Sequence, residues 1–460
     1  MRLGKKIQYD LDKSYDVKVT VTGESGVFFG RLVLSPQNIT LRISGDMNAG
    51  RQFGNTEWKL DVLECNGFDR VYLLYDLHCV EHFVSALDYK PEYNCHYEAE
   101  YIASYALILK GDVELYGLEL LSPVLEHWIG YTEKQEEIVR DQVAGQRVGI
   151  HAPLDAIDAA EFSLDVDGLG KVGVWYNIQA SASPLEFNVG VKFPPSFKVI
   201  TEERVEKKDI MNLYQKVYAF LSTLHGSDFP VERIKLIVNN SIFNDATLYY
   251  SQPKLKNYQF QSYSFFPLGN GLRMDSLGLP KLPLDSIGKY FSQTYNFSEK
   301  WEKYIKYRRM INVEDRFLGY FRQLESLTTV KKGYLDQKRL EASISRIKPI
   351  MIKFFGSKKD VEGLLSGIPR LNNSKYNTAK CILEFYKKIP EELRGGLLLA
   401  AKDITSVCKL RNDISHANEY FETEENLSNK CDFIEGLLVM ALLETIGIPI
   451  STTAKLINRL

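Results

Sequence analysis

The first 300 residues alternate between apolar and polar positions over most of their length. The alternation runs through "YDVKVTVTG", "ITLRISG", "RVYLLYDLHCV", "EAEYIASYALIL" and "VELYGLELL", which are rich in β-branched and aromatic residues. It resumes after a polar segment in "AEFSLDVDGLGKVGVWYNIQASA" and "LEFNVGVKF", and then in "IKLIVNN", "ATLYYS" and "QFQSYSFF". Alternation of this kind, broken by Gly, Asn and Pro, predicts strands with one buried face.

One helix is predicted within this β-rich region. The segment "EKKDIMNLYQKVYAFLSTLHG" carries apolar residues at intervals of three and four, which are Ile210, Leu213, Val217, Phe220 and Leu224. Such a stripe is typical of a helix that packs one face on a sheet. A loop rich in Gly, Pro and Leu follows at about 267–286.

After about residue 300 the period changes from two to 3.6. Helical spacing is present in "EDRFLGYFRQLESLTTV", "DQKRLEASISRIKPIMIKFF", "AKCILEFYKKI", "PEELRGGLLLAAKDITSVCKLRNDISH" and "LSNKCDFIEGLLVMALLETIGI". These segments predict an all-α bundle. The predicted fold class is therefore a multidomain α+β protein, with a β-rich N-terminal region and its packed helix in residues 1–300, followed by a helical bundle in residues 301–460.

Composition is that of an ordinary globular protein. Of the 460 residues, 45% are apolar and 25% are charged. The N-terminal segment has no apolar core of a signal peptide, and "GLLVMALLETIGIPI" is too short to span a membrane and contains Glu444. We expect a cytoplasmic protein without a membrane segment, whose six dispersed cysteines are reduced thiols.

Charge is distributed unequally between the two regions. Residues 301–460 contain 27 Lys and Arg against 20 Asp and Glu, whereas residues 1–300 contain 30 against 39. A basic C-terminal region beside an acidic N-terminal one suits a polyanionic partner at one end. An excess of lysine on solvated helix faces would explain the same imbalance.

Two patterns resemble ligand sites without meeting their requirements. "GLGKVG" at 168–173 matches a nucleotide-binding glycine pattern, but both flanks alternate, so a β-hairpin turn is predicted and no cofactor is expected. Cysteines and histidines also gather in one β-rich stretch, as Cys65, His78, Cys79, His82, Cys95 and His96. A zinc site there is the alternative to buried strand cysteines with surface histidines, because the second doublet is an adjacent pair with poor chelating geometry.

The helical pattern that begins at Pro390 ends in an unexpected residue. Its apolar stripe runs through Leu393, Leu397, Ala400, Ala401, Ile404, Val407 and Cys408. The next stripe position is Arg411. A guanidinium at a core position needs a carboxylate, a second subunit or a ligand phosphate to offset its desolvation.

Arg411, Asn412 and His416 together form a candidate catalytic set in "RNDISH". Arg411 supplies a fixed cation for a phosphate, Asn412 a hydrogen-bonding group and His416 a proton carrier near neutral pH, which are the groups needed for metal-free cleavage of a phosphodiester. On an ideal helix Arg411 and His416 are separated by about 140°. Their convergence requires a loosened helix end, and a chance match of the motif is the alternative.

The helical region resembles the HEPN family, whose signature is an Arg followed by a polar residue and, four to six residues on, a His. "RNDISH" fits this signature, "EDRFLGYFRQLESL" resembles the first family helix, and "FIEGLLVMALLETIGI" resembles the last. The layout, with "LELLSPVLEHWIG" in a β-rich N-terminal region, is similar to ApeA-like proteins of bacterial anti-phage defence by abortive infection.

The resemblance implies a metal-independent endoribonuclease that acts on RNA. It implies further that Arg411 and His416 of two protomers form a composite site in a homodimer or higher oligomer. It also implies an N-terminal domain that senses a phage-derived trigger or restrains the nuclease. The sequence leaves open two alternatives: a non-catalytic module whose helices only dimerise while it binds RNA or a phage protein, and a β-rich recognition protein for a phage protein or a glycan. It identifies neither the RNA nor the trigger.

Overall fold

The chain forms two compact units, Met1–Thr294 and Tyr295–Leu460. The computed structural model describes residues 9–23, 26–46, 59–85, 92–107, 113–148, 159–183, 188–238, 246–251, 263–271, 278–293, 295–330, 332–373 and 376–460. The first unit is rich in strands and the second is helical. The predicted α+β multidomain fold class is therefore confirmed.

The first unit is built around one large antiparallel sheet. The strands of the first unit are Tyr15–Gly23 (β1), Gly26–Leu34 (β2), Ile39–Asp46 (β3), Lys59–Asn66 (β4), Arg70–Ser85 (β5), Glu92–Ala99 (β6), Tyr101–Ala106 (β7), Leu115–Leu121 (β8), Ala160–Val166 (β9), Gly170–Tyr176 (β10), Gln179–Ser183 (β11), Asn188–Lys192 (β12), Pro195–Val205 (β13), Arg233–Val238 (β14) and Ala246–Tyr250 (β15). Of these, β11 and β12 pair with each other in a separate two-stranded sheet. The helices of the unit are Val124–Ile129 (α1), Glu133–Val148 (α2), Ile210–His225 (α3) and Leu284–Ser292 (α4).

The sheet closes on itself at one end. Its strand order is β4-β1-β2-β3-β6-β5-β7-β15-β14-β8-β13-β10-β9, and β4 also pairs with β5. The first six strands of this order thus form a closed ring. Alternation gives each strand an inner and an outer face. Val19, Leu41 and Ile43 are buried, whereas their neighbours Lys18 and Arg42 are exposed.

The helix α3 packs on the open part of the sheet against β8. Ile210, Val217, Phe220 and Leu224 are buried as the stripe predicts, and Leu213 lies at its edge, half-buried. The helix ends at Gly226, which adopts φ +84° and donates its N–H to the carbonyl of Ser222. Of the predicted strand "QFQSYSFF", the first four residues lie outside the described residues, and the last four are not a strand.

The glycine pattern of residues 168–173 is a hairpin, as predicted. Strands β9 and β10 pair across the turn, where Gly168 has φ +71°. A Cβ on Gly173 would lie 2.2 Å from the carbonyl oxygen of Phe162. The glycines therefore allow the turn and the close strand approach.

The second unit is a helical bundle. Its helices are Tyr295–Arg308 (α5), Val313–Thr328 (α6), Gln337–Phe355 (α7), Lys358–Asn372 (α8), Thr378–Lys387 (α9), Ile404–Ser415 (α10), Glu424–Thr445 (α11) and Ile450–Ala454 (α12). The helix α11 forms the centre and packs most extensively on α6. Glu435 of α11 accepts hydrogen bonds from the hydroxyls of Tyr304 (2.8 Å) and Tyr320 (3.0 Å), and desolvation raises the pKa of its carboxyl group. A buried polar cluster thus fixes α5 and α6 against α11.

The helices α7 and α8 form a hairpin between α6 and α9 that packs mainly on itself. No residue of α7 is buried. The exposed apolar side chains of the hairpin are Ile347, Ile350, Phe354, Phe355, Leu364 and Leu371. These residues leave an apolar surface in contact with solvent.

The prediction of one long helix from Pro390 was wrong. The helix α10 begins only at Ile404, after 3₁₀ turns at Glu391–Gly396 and Ala401–Asp403. The paired glycines at 395 and 396 lower helix propensity. The side chain of Arg394 donates to the carbonyl of Ile389 (2.9 Å), which ties the first turn to the end of α9.

Within the ranges described above, no helix combines the length and the apolar character needed to cross a membrane.

Gly319 should be intolerant of a side chain. It lies inside α6, where a Cβ would sit 2.4 Å from the ring of Tyr307 in α5. We expect Gly319→Ala to lower the free energy of unfolding by about 1–3 kcal/mol, the range for overpacking. Gly363→Ala in α8 is the matched control, because a Cβ there meets nothing within 4 Å. It should stabilise by about 0.5–1 kcal/mol through helix propensity. Denaturant melts of both variants measure this, and equal effects would contradict the close packing of α5 and α6.

Candidate active site

The helix α10 presents the candidate residues at its C-terminal end. Ile404, Val407 and Leu410 are buried and fix the helix on the bundle. Arg411 follows at the edge of this buried face, with 26% of its side chain exposed. The predicted stripe position is thus occupied by a half-buried guanidinium.

The guanidinium of Arg411 has three neighbours. Its Nη2 donates to Oε2 of Glu325 in α6 at 2.7 Å, and its Nη1 donates to Oδ1 of Asn412 at 3.0 Å. Its centre lies 5.4 Å from the ring centroid of Phe321, one turn before Glu325. The Nε atom is buried without a hydrogen-bond partner. A carboxylate, an amide and an aromatic ring therefore hold the side chain against α6.

Glu325 is itself held from two directions. Its Oε1 accepts from the hydroxyl of Thr378 (2.6 Å), the first residue of α9. Its backbone carbonyl accepts from the N–H and the hydroxyl of Thr329, just past the end of α6. The α7–α8 hairpin connects these two points. A residue on each side of the hairpin in sequence, Thr329 before it and Thr378 after it, therefore contacts Glu325.

His416 caps the end of α10. Its N–H donates to the carbonyl of Asn412 (3.0 Å), while its side chain is exposed. The next residue, Ala417, has φ +52°, a left-handed conformation that is uncommon for residues other than glycine. The N–H of Asn418 then donates a hydrogen bond back to the carbonyl of Asp413 (2.9 Å). This tight reversal leaves the imidazole at the tip of the helix, open to solvent.

The structure brings two of the three predicted residues together. The side chain of Arg411 donates a hydrogen bond to that of Asn412. Asn412 contacts His416 only by a hydrogen bond between their backbones. Among the described residues no hydrogen bond or ion pair joins Arg411 to His416. Within one chain the helix end does not make the two side chains converge. Their angular separation on the helix explains this arrangement.

The Cys408 thiol near this site is a candidate nucleophile, and the cysteines of the first unit are candidate metal ligands. Burial raises the pKa of Cys408, one turn before Arg411, to about 11, so its thiol is protonated at neutral pH. In the first unit, the sulfur atoms of Cys79 and Cys95 are 3.4 Å apart. In the described part of the chain, no three His, Cys, Asp or Glu side chains are placed to hold a metal ion. The zinc alternative therefore has no ligand set there.

Sequence reasoning missed the residues that hold Arg411. Glu325, Phe321 and Thr378 belong to other helices and are distant in sequence. One signal was present: Glu325 lies four residues after Phe321, at the edge of the apolar stripe of α6. A carboxylate at a stripe edge and an arginine on another stripe are candidates for a pair.

Two protein-family models match the chain, one in each of its two regions. The family described as ApeA N-terminal domain 1 matches residues 16–297, and the family described as Apea-like HEPN matches residues 318–451. The two matches, a β-rich ApeA domain followed in sequence by a HEPN domain, make this a HEPN-type anti-phage defence protein. The first match covers more than half of the chain, and the chain belongs to the ApeA family. Neither the curated proteins nor the solved structures contain a match.

Proposed function

We propose that this protein is a metal-independent endoribonuclease that acts in abortive infection in the bacterial cytoplasm. Arg411, Asn412 and His416 are its catalytic residues. The observation that carries the proposal is the half-buried Arg411, which Glu325 and Asn412 fix on the same helix end that carries the exposed side chain of His416. A preorganised cation and a proton carrier, brought together from two protomers, suit attack of a ribose 2′-OH on the adjacent phosphate.

Each residue has one role in the proposed reaction. His416 removes the proton from the 2′-OH or delivers a proton to the leaving 5′ oxygen. Arg411 stabilises the charge that develops on the phosphorane, and Asn412 orients the guanidinium through its 3.0 Å hydrogen bond. The 2′ oxygen forms a bond to phosphorus as the bond to the 5′ oxygen breaks. The products carry a 2′,3′-cyclic phosphate and a 5′-OH.

The separation of Arg411 from His416 favours a composite site. One chain offers one fixed cation and one exposed imidazole on different sides of the helix tip. A two-fold axis near the tip would place the His416 side chains of two protomers close to both arginines. Phe421, five residues past His416, is 96% exposed and provides an apolar contact for such an axis. The proposed assembly is a homodimer through the helical unit, or a higher oligomer built from it.

A non-catalytic module is the alternative, and two observations favour it. Arg411 is paired with Glu325, which offsets the charge that a phosphate would use. The α7–α8 hairpin exposes apolar side chains at helical spacing, such as Ile347, Ile350 and Phe354, which suits a protein partner. In this reading the helices dimerise the protein and bind RNA or a phage protein without cleavage. An assay of RNA cleavage separates the two functions.

The cleavage assay uses purified full-length protein and total RNA. His416→Ala and Arg411→Ala should each lower the rate by about 10²- to 10⁴-fold, the range for loss of an acid–base group or a charge stabiliser. Ser415→Ala is the control, because it removes an exposed hydroxyl next to His416 and should leave the rate unchanged. Cleavage should persist in EDTA, and DNA should remain intact. Activity that requires magnesium, or that survives in His416→Ala, would place the chemistry on other residues.

The dimer proposal is tested at Phe421. Phe421→Asp places a charge where an apolar contact is expected, so it should yield monomers in light scattering and lower RNA cleavage by about 10²-fold or more. Phe68→Asp is the matched control, since Phe68 is 97% exposed in the first unit. It should change neither the mass nor the rate. A Phe421→Asp monomer with full activity would refute the composite site.

We further propose that the first unit restrains the helical unit until a phage-derived trigger binds. The opposite charge balance of residues 1–300 and 301–460 motivates this proposal. Residues 295–460 expressed alone should then be more toxic to cells than the full chain. The His416→Ala version of the same fragment is the control and should be harmless. Equal growth of cells with the fragment and with the full chain would show that the first unit does not restrain it.

A further inference from the structure

The outer face of the closed ring in the first unit carries a row of basic side chains. The register places Lys18 of β1 directly opposite Arg31 of β2, and Arg31 directly opposite Arg42 of β3. Arg42 lies opposite His96 of β6. All three cations are exposed. Like charges directly opposite one another destabilise a sheet.

One carboxylate offsets only part of this charge. Asp16 binds Nε of Arg31 through both oxygens, at 2.9 and 3.0 Å. The side chains of Lys18 and Arg42 form no hydrogen bond and no close ion pair with any described residue, although Lys18 adds to the effect of Arg31 in lowering the pKa of Asp16. The row therefore holds three cations against one carboxylate, in a region whose overall balance is acidic. This charge arrangement is explained by an anionic ligand more readily than by stability of the sheet.

The neighbouring row supplies an aromatic face. Phe29 lies two residues from Arg31 on the same outer face, opposite Ser44, and Ser44 lies opposite Asn94. Phe29 is 72% exposed although its strand neighbour Phe28 is buried. The two rows line a groove of about 710 Å³. One face of the groove thus presents an exposed phenyl ring, three cations with one carboxylate, and polar hydrogen-bonding groups to a ligand.

We propose that this groove binds single-stranded nucleic acid. Lys18 and Arg42 are two strands apart, about 10 Å, so they contact successive phosphates better than one compact anion. The ring of Phe29 stacks on a base, as aromatic residues do on sheet surfaces that bind single strands. Ser44 and Asn94 offer hydrogen bonds to the base or the sugar. The site lies within the first unit and does not depend on the proposed nuclease.

Binding is measured by fluorescence anisotropy of labelled decathymidylate DNA on the full chain in 100 mM salt. DNA is used because it has no 2′-OH for the proposed cleavage. The double variant Lys18→Glu, Arg42→Glu should weaken binding by about tenfold or more, with a shallower salt dependence. Phe29→Ala should weaken binding by about fivefold or more. The control Lys171→Glu, Arg204→Glu reverses two other exposed strand cations of the same unit and should leave affinity within about twofold.

Two further measurements locate the contact. In the first, the decathymidylate carries 5-iododeoxyuridine in place of one thymidine and is crosslinked to the protein by light. The crosslink should label the peptide that contains Phe29, and labelling confined to residues 295–460 would overturn the proposal. In the second, the variant Lys18→Glu, Arg42→Glu should have a melting temperature no lower than that of the parent, since it removes repulsion between cations. The variant Lys18→Gln, Arg42→Gln repeats the binding measurement with uncharged side chains. No binding of decathymidylate, or equal loss in the control, would also overturn it. Displacement by polyglutamate with no effect of Phe29→Ala would assign the groove to an acidic protein instead.

Discussion

The ion pair between Arg411 and Glu325 sets the geometry of the candidate active site. A guanidinium at the edge of a buried helix face cannot remain without a partner, because its desolvation costs several kcal/mol. The carboxylate of Glu325 at 2.7 Å and the ring of Phe321 fix its position. Exposed pairs of this kind contribute about 0–1 kcal/mol to stability and fully buried ones are much more sensitive to loss of one partner. This pair lies between those limits, so its main effect is to orient the cation.

The arrangement of the bundle follows from that constraint. The helix α6 supplies Glu325 and also packs most extensively on the central helix α11, so the partner of the arginine is rigid. The first residue of α9, Thr378, binds the second carboxylate oxygen. In sequence, the α7–α8 hairpin lies between Glu325 of α6 and Thr378 of α9. A partner that binds the exposed face of the hairpin would therefore act on the two segments that hold Glu325, which gives a physical route from binding to the orientation of Arg411.

Local patterns predicted the parts of the structure that depend on local sequence. Alternation located β1, β3 and β5 of the ring, and helical spacing located α3, α6, α9 and α11. The motif residues Arg411, Asn412 and His416 were identified from sequence, but their mutual geometry was not. Pairing of β4 with β5, the partner Glu325 and the row of cations all depend on register and packing between distant segments. The late start of α10 was missed because an apolar stripe continues through 391–403 although the backbone there turns as 3₁₀.

The positive charge of Arg411 and that of the cation row in the first unit are offset to different degrees, and this difference bears on the proposed functions. In the helical unit the arginine at the candidate site is neutralised by a carboxylate, so a phosphate must compete with Glu325 for it. In the first unit Lys18 and Arg42 stand beside Arg31 with one carboxylate for three cations. At equal ionic strength an anionic strand gains more from a row with two cations in excess than from the paired arginine. Under the two proposals, the first unit would serve initial capture of an anionic ligand, and the helical unit a chemical step that begins only when the ion pair of Arg411 rearranges.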